Sequence, residues 1–328
     1  MAASSTDFKA VILAGGSGER FWPLSTAKRP KQFLTVFGRE SLLVQAYRRL
    51  AGFVAPKDVY VVTSRDLVAA TRRELAELPR ENVIGEPMRR DTAAAVALGL
   101  RFAGKTGVVG FFPADQLVLK PTAFRAALRK AVSVARRSAA IVTLGITPTR
   151  AATGFGYVDP KTGRFFEKPT AEKAKTYLRE GFLWNAGMFI AKASTFRAAI
   201  ATHAPALTPL FSARSFARVY PALPRLSFDY AVMEKFKDVR VVPAACGWDD
   251  VGGYAAFDKH FPHDKDANVR EGPCFVHDAH GNICVARSTK VALLGVRNLV
   301  VVATKDGVLV ADKSRLGEMK QLLAAARG

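Results

Sequence analysis

Residues 11–33 read VILAGGSGERFWPLSTAKRPKQF, and the way this stretch is understood decides the fold. Val11 to Ala14 form a short apolar run that reads as a buried strand and empties into Gly15, Gly16, Ser17 and Gly18. Glycines without a Cβ let backbone N–H groups converge on an anion, and such concave nests bind phosphate oxygens. Arg20, Lys28, Arg29 and Lys31 follow at once. Arginine meets phosphate as a planar fork and lysine as a mobile point charge. Strand, glycine turn and cations together describe a floor for a polyphosphate. The plain alternative is a tight turn after a first strand with solvated charges behind it. Pro23 and Pro30 favour the phosphate reading, because they stiffen the segment and make its basic side chains project at fixed places.

Neither of the two commonest phosphate loops fits. A Walker loop closes on Gly-Lys-Ser/Thr, whereas Gly18 is followed by Glu19 and Arg20; a dinucleotide fingerprint needs a third glycine where Phe21 stands. The stretch GGSGERFWPLSTAKRPKQF instead resembles the signature of the sugar-1-phosphate nucleotidyltransferases, nearest to their mannose-1-phosphate guanylyltransferase branch. The resemblance implies nucleotide contacts at Leu13, Ala14, Gly15, Gly16 and Gly18, and phosphate contacts at Arg20 and Lys31.

Working outward, 328 residues suffice for one large core and a smaller domain. Hydrophobic residues make up 49% and charged residues 23%, the balance of an ordinary globular chain. The formal charge of +21 admits a nucleic-acid surface. No lysine/arginine run of five, no zinc-finger spacing and no basic–aromatic ribonucleoprotein motif accompanies it, so no nucleic-acid partner is expected. Cys246, Cys274 and Cys284 are odd in number and contain no C-x-x-C pair, which predicts a reduced, cytoplasmic chain without structural zinc. The N-terminus lacks the charge and apolar pattern of a signal peptide. No apolar run approaches the ~20 residues of a membrane span, so no membrane is expected.

After the glycine turn the pattern alternates. Residues 41–51 read as a helix capped by Ser41, 58–63 as a β-branched strand and 64–78 as a helix. Such alternation predicts a parallel sheet covered by helices. In residues 85–102, GEPMRRDTAAAVALGLRF, Asp91 or Thr92 can cap an alanine-rich helix whose small side chains permit close approach. It reads as a packing helix. The resemblance adds that this motif borders the base pocket, through Glu86, Pro87 and Asp91 with Arg90 nearby. A carboxylate can accept from the N1–H and exocyclic amino group of guanine, an edge that adenine does not offer.

Residues 107–115, GVVGFFPAD, read as a buried strand ending in Asp115, where open α/β sheets bind ligands; a turn-capping role is the alternative. A helix over 122–137 and a strand over 139–146 continue the alternation, and the loop with Gly154 and Gly156 interrupts it. Asn185 lies in an otherwise apolar strand and needs partners to be buried there. Residues 227–235, SFDYAVMEK, read as an amphipathic core helix, and 192–226 carry no signal of their own. In GWDDVGGY, residues 247–254, adjacent carboxylates suggest a metal site. The resemblance implies sugar-phosphate contacts at Gly156, Glu167, Lys168, Asn185 and Asp229, with Glu234 supporting. It implies Mg2+ ligands at Asp115 and Asp250, which with Arg20 and Lys31 make up the catalytic set. Gln116 stands where the family carries His, Asp249 where a small polar residue is usual, and Gly253 where Ser or Thr is.

From about Phe261, short β-rich runs are punctuated by Gly, Asn and Asp, which suggests a β-solenoid or small sheet before a helix over 315–325. The fold expected is therefore α/β: a Rossmann-like nucleotidyltransferase domain with a mixed, mostly parallel sheet over residues 1–262, and a small C-terminal β-rich domain over 263–328. The resemblance makes the latter left-handed β-helix-like and the contact surface of a homodimer. The activity implied is transfer of GMP from GTP to mannose-1-phosphate.

Overall fold

The computed structural model describes residues 7–16 and 18–325; Ser17 of the glycine turn and the first six residues, part of the stretch expected to lack a signal peptide, lie outside the described residues. The chain divides into two compact units, Met1–Gly15 with Leu43–Asp249, and Gly16–Leu42 with Asp250–Gly328.

The first unit is built on strands β1 (Phe8–Ala14), β2 (Val59–Ser64), β3 (Val83–Glu86), β4 (Val108–Pro113), β5 (Leu117–Val118), β6 (Ile141–Ile146), β7 (Tyr157–Val158), β8 (Phe165–Phe166), β9 (Leu183–Lys192), β10 (Val239–Pro243) and β11 (Trp248–Asp249). Nine of them form one sheet in the order β10-β6-β9-β4-β1-β2-β3, with β7 on β9 and β8 on β7. The pairs β1–β2, β1–β4, β2–β3 and β6–β10 are parallel. Strand β9 runs antiparallel between β4 and β6, which makes the sheet mixed as expected. Strands so enclosed need apolar residues on both faces, and β1 accordingly has five of its seven residues buried.

The alanine-rich segment forms a helix, Asp91–Ala103, packed on β1 and β2. Its small side chains do permit close approach: a Cβ on Gly99 would lie 2.6 Å from Val11. Burying Val96, Leu98 and Leu100 there contributes about 2 kcal/mol each. The helix Pro121–Arg137 packs on β6 and β9. The helix expected over 64–78 is shorter, a 3-10 turn Arg65–Leu67 continuing into Val68–Glu74. Residues 227–235 do not make a regular amphipathic helix either, because Asp229–Met233 is a π-helical turn closed by Glu234 N–H donating to the Asp229 carbonyl at 3.1 Å. Single π turns of this kind recur at functional sites.

The second unit contains β12 (Val269–Glu271), β13 (Cys274–His277), β14 (Ile283–Ala286), β15 (Val291–Leu294), β16 (Leu299–Thr304) and β17 (Gly307–Asp312). Strands β12, β14 and β16 stack in parallel, as do β13 and β15, and β17 turns back antiparallel on β16. The regular polar punctuation has a structural cause. The Asn268 side-chain oxygen accepts from the Asn282 backbone N–H and amide at 2.9 Å each. The Asn282 oxygen in turn accepts from Leu299 N–H at 2.9 Å. This buried asparagine ladder satisfies the backbone at each turn and fixes the coil register, giving a β-helix. The C-terminal helix is confined to Met319–Ala325, after 3-10 turns over Lys313–Glu318. Among the described residues no helix is long and apolar enough to cross a membrane.

Candidate active site

In the first unit the strand directions collect the predicted residues at one edge of the sheet. Gly15 follows the carboxyl end of β1, Glu86 ends β3 and Asp115 lies just beyond β4. Because β9 is antiparallel, its early residue Asn185 falls at the same edge, opposite Gly145 of β6. This carboxyl edge is where open α/β sheets receive ligands.

At the base-pocket end, Ala14 is buried and its carbonyl accepts from the Thr63 hydroxyl at 3.1 Å, which holds the end of β1 against β2. Gly15 sits so near Glu86 that a Cβ would lie 3.0 Å from Oε2. The other carboxylate oxygen, Oε1, accepts a hydrogen bond from the buried Tyr220 hydroxyl. Burial pushes the Glu86 carboxyl up to about 7, against the pull of that hydrogen bond and of Arg89. Asp91 does not cap the helix; it is the first residue of it, on a left-handed backbone with φ of 63°, and its Oδ1 accepts only from the neighbouring Thr92 N–H at 2.7 Å. Thr92 instead accepts from Phe228 N–H at 2.8 Å, which ties the start of this helix to the segment leading into Asp229. Arg90 donates to the Pro221 carbonyl.

The turn bearing Asp115 is held from behind. Arg49, buried at 3% exposure, donates to the carbonyls of Pro113 at 2.8 Å and Gln116 at 2.9 Å. Its burial lowers the guanidinium to about 10. Gln116, one of the three positions that depart from the resembled pattern, donates to the Ala186 carbonyl at 2.8 Å and accepts from the Trp248 indole at 2.9 Å. A neutral amide thus braces β9 and β11 against the Asp115 turn.

The residues predicted for the sugar-phosphate come together in one network. Asn185 donates through Nδ2 to Asp229 at 2.9 Å, and its oxygen accepts from Thr143 at 2.8 Å and from Gly187 N–H at 3.0 Å. Its own N–H donates to Gly156. The cost of burying an amide in an apolar strand is thereby offset. Lys168 pairs with Glu167 at 3.1 Å, and a Cβ on Gly156 would come within 2.6 Å of Glu167 Oε2. The π turn aims Asp229 at Asn185 and Glu234 at the Glu167 N–H, 3.0 Å away. Burial and then the Glu167 charge push Asp229 up to about 7. Glu167 is raised by burial, and Lys168 is raised because its ion pair outweighs its own desolvation. Three carboxylates, an amide and an ammonium in one cluster offer both acceptors for hydroxyls and a cation for phosphate.

The second unit brings Arg20, Lys31 and Asp250 together. Lys31 is 7% exposed and donates from Nζ to the Asp250 carbonyl at 2.5 Å. A Cβ on Gly252 would lie 3.0 Å from Asp250 Oδ2 and 3.6 Å from the Arg20 guanidinium. Gly18 is left-handed, φ 62°, and a Cβ there would overlap Lys31 Cβ at 2.3 Å. The glycine is therefore what admits the lysine. Tyr254 donates to the carbonyls of Phe21 at 2.8 Å and Trp22 at 3.0 Å, which anchors the loop carrying Arg20. Val251, next to Asp250, has φ 48°. Such strain in a β-branched residue costs about 1–3 kcal/mol and clusters at functional sites. Lys28 and Arg29 are exposed, and Arg29 turns back to the Phe33 carbonyl. Among the described residues no group of three or more His, Cys, Asp or Glu side chains is gathered to hold a metal.

Tyr220, Arg49 and Thr143 are the residues that sequence reading missed. Each acts through a hydrogen bond to a partner 42 or more positions away, and no local pattern announces such a bond.

Comparison with known proteins gives a consistent result. Residues 9–266 match the nucleotidyl transferase family, and residues 275–325 match the MannoseP isomerase/GMP-like beta-helix domain. The chain is 34% identical over 341 residues to the mannose-1-phosphate guanylyltransferase of Klebsiella pneumoniae, covering 95% of this chain and 72% of that protein. It is equally identical, over 346 residues and with the same coverage, to the mannose-1-phosphate guanylyltransferase of Escherichia coli strain K12. A crystal structure from Thermus thermophilus, described as a mannose-1-phosphate geranyltransferase, matches with a TM-score of 0.89 and 35% identity. That match covers 98% of this chain and 100% of the other.

Proposed function

The chain belongs to the nucleotidyl transferase family, and we propose that it transfers GMP from GTP to mannose-1-phosphate, forming GDP-mannose and pyrophosphate. The observation that carries this reading is the shared sheet edge of the first unit. Gly15 and Glu86, suited to a nucleotide, and Asn185, with its Asp229 and Glu167–Lys168 network suited to a sugar phosphate, lie along it. Relatives named for the guanylyl transfer span 95% of the chain.

The attacking oxygen of a sugar-1-phosphate is already an anion, so the reaction needs no Ser–His or Cys–His pair. It needs two anions held in line with their repulsion shielded. We assign Arg20 and Lys31 to the nucleotide phosphates and the departing pyrophosphate. Leu13, Ala14, Gly15, Gly16 and Gly18 are assigned to the nucleotide backbone, with Pro87 and Asp91 beside the base. Asp115 and Asp250 are carboxylates, the oxygen donors that Mg2+ takes, and Mg2+ commonly uses one or two of these together with substrate phosphates. When bound, the cation would neutralise charge on the reacting phosphates. We further propose a domain division near residue 262, a cytoplasmic location, and a homodimer formed through the C-terminal domain. The dimer reading is supported by large apolar side chains exposed on that domain among the described residues, Phe275, Leu294, Val308, Val310 and Leu322; light scattering of the chain tests it.

The deciding experiment measures pyrophosphate release with Mg2+ over four nucleoside triphosphates against mannose-, glucose- and galactose-1-phosphate. Signal confined to GTP with mannose-1-phosphate is expected. Signal in another combination would move the substrate, and silence throughout would leave a nucleotide-binding chain without this activity.

A further inference from the structure

Tyr220 lies in the part of the sequence that carries no pattern, yet it is fully buried and commits its hydroxyl to one oxygen of Glu86. The opposite oxygen faces Gly15, where an added Cβ would lie 3.0 Å from it. The carboxylate is thus bracketed between β1 and the Tyr220 segment, and that segment is itself pinned where Arg90 donates to Pro221. We propose, resting on the base-pocket reading above, that Tyr220 is the positioning residue for nucleobase choice: it holds Glu86 in the acceptor-only form that pairs with guanine and rejects adenine.

The chemistry follows from the donor and acceptor sets. The guanine edge presents two donors, N1–H and the exocyclic amino group, and an ionised carboxylate is acceptor-only. Adenine presents an acceptor at N1 beside its amino donor. A protonated carboxyl, with one O–H and one carbonyl oxygen, matches that adenine pair. The protonation state of Glu86 therefore selects between the two purines. Burial favours the protonated form and brings the carboxyl up to about 7, while the Tyr220 hydrogen bond and the Arg89 charge favour the ionised one and Asp91 opposes it. Burial and the Glu86 charge hold the Tyr220 phenol well above its ordinary value, so it remains a donor at every working pH.

The test is equilibrium binding of GTP and of ATP to the 328-residue chain by calorimetry, at several values from about pH 6 to about pH 9. In the wild type the preference for GTP should grow as pH rises through about 7. Tyr220→Phe should cut the preference about tenfold near neutrality, the worth of one hydrogen bond to a charged group. It should regain the preference at higher pH, a recovery that general damage would not give. Glu86→Gln should lower the preference and make it independent of pH. A Tyr220→Phe chain with the wild-type preference and pH profile would overturn the proposal while leaving the base pocket in place. If that variant does not fold, the wild-type profile still decides, because a GTP preference that is flat with pH overturns the proposal. A wild type that never prefers GTP overturns the base-pocket reading itself.

Discussion

The two units hold the side chains assigned to the site by different means. In the first, Asn185, Asp229, Glu167, Lys168 and Glu86 are fixed mainly by side-chain partners, several of them titratable. In the second, Lys31 is fixed by a backbone carbonyl and by the space that Gly18 leaves, and Asp250 is flanked by glycine and a strained valine. A side-chain network accepts shape-conserving changes but responds to protons. A clearance-built site tolerates no added atom. The contrast has a chemical logic: a polyol needs a varied set of donors and acceptors, whereas a polyphosphate needs fixed positive charge close to glycine backbone.

The largest effect should come from Asp250→Asn, which keeps the shape and removes the charge assigned to the metal. Turnover should fall on the order of 10³-fold, as the loss of about 4 kcal/mol of charge stabilisation implies. Circular dichroism should be unchanged, and near wild-type pyrophosphate release would remove the assignment. Gly18→Ala comes next. Its left-handed backbone and the 2.3 Å overlap with Lys31 should together cost about 3 kcal/mol in denaturant unfolding. Displacing Lys31 should lower turnover about 10²-fold, since small misplacements at a reacting centre cost that much. An alanine variant as stable and active as wild type would break the clearance argument.

Asn185→Leu probes the other means of support. It conserves volume but leaves the Thr143 hydroxyl, the Gly187 N–H and Asp229 without their amide partner. The expected cost is about 2–4 kcal/mol of stability, from two or more orphaned polar groups. The KM for mannose-1-phosphate should rise more than the KM for GTP. An equal rise in both would show that the network supports the whole sheet edge and not the sugar-phosphate end alone.

These differences also explain what was legible in the sequence. Strands β1, β2, β4 and β6 were readable because enclosed strands must be apolar. The Gly18–Lys31 stretch was readable as a phosphate floor from its glycines and the cations behind them, while Lys31 itself was singled out by the family resemblance and the clearance that Gly18 leaves it was not visible. The C-terminal coil was readable only as a solenoid or small sheet, from short β runs punctuated by Gly, Asn and Asp, of which Asn268 and Asn282 link successive coils. The support for the first-unit site was not readable. Arg49, Thr143 and Tyr220 look like ordinary residues of helix, strand and loop until the fold brings their partners from 42 to 134 positions away. The π turn was hidden as well, because SFDYAVMEK has the apolar spacing of a regular helix, and the extra residue in the turn goes with Asp229 reaching Asn185 while Glu234 reaches the Glu167 N–H.

The smallest effect is the most diagnostic of the comparison. Burial, with the Glu167 charge added, raises Asp229 to about 7. Between the ordinary carboxylate range and that value, the folded chain binds more protons than the unfolded chain. The linkage relation then makes unfolding free energy fall as pH rises through this window, the reverse of the salt-bridged carboxylate case. Glu86, raised to about 7 chiefly by burial, adds to the same slope. Denaturant unfolding followed from about pH 5 to about pH 8 should therefore show stability declining towards pH 7 and levelling beyond it. Asp229→Asn should make the decline shallower without removing it, because Glu86 still titrates. Gly18→Ala should lower the whole curve and leave its slope as in wild type, because it removes clearance and no titrating group. A Gly18→Ala curve with an altered slope, or an Asp229→Asn curve with the full one, would mean that the two units do not differ in the way their hydrogen bonds indicate.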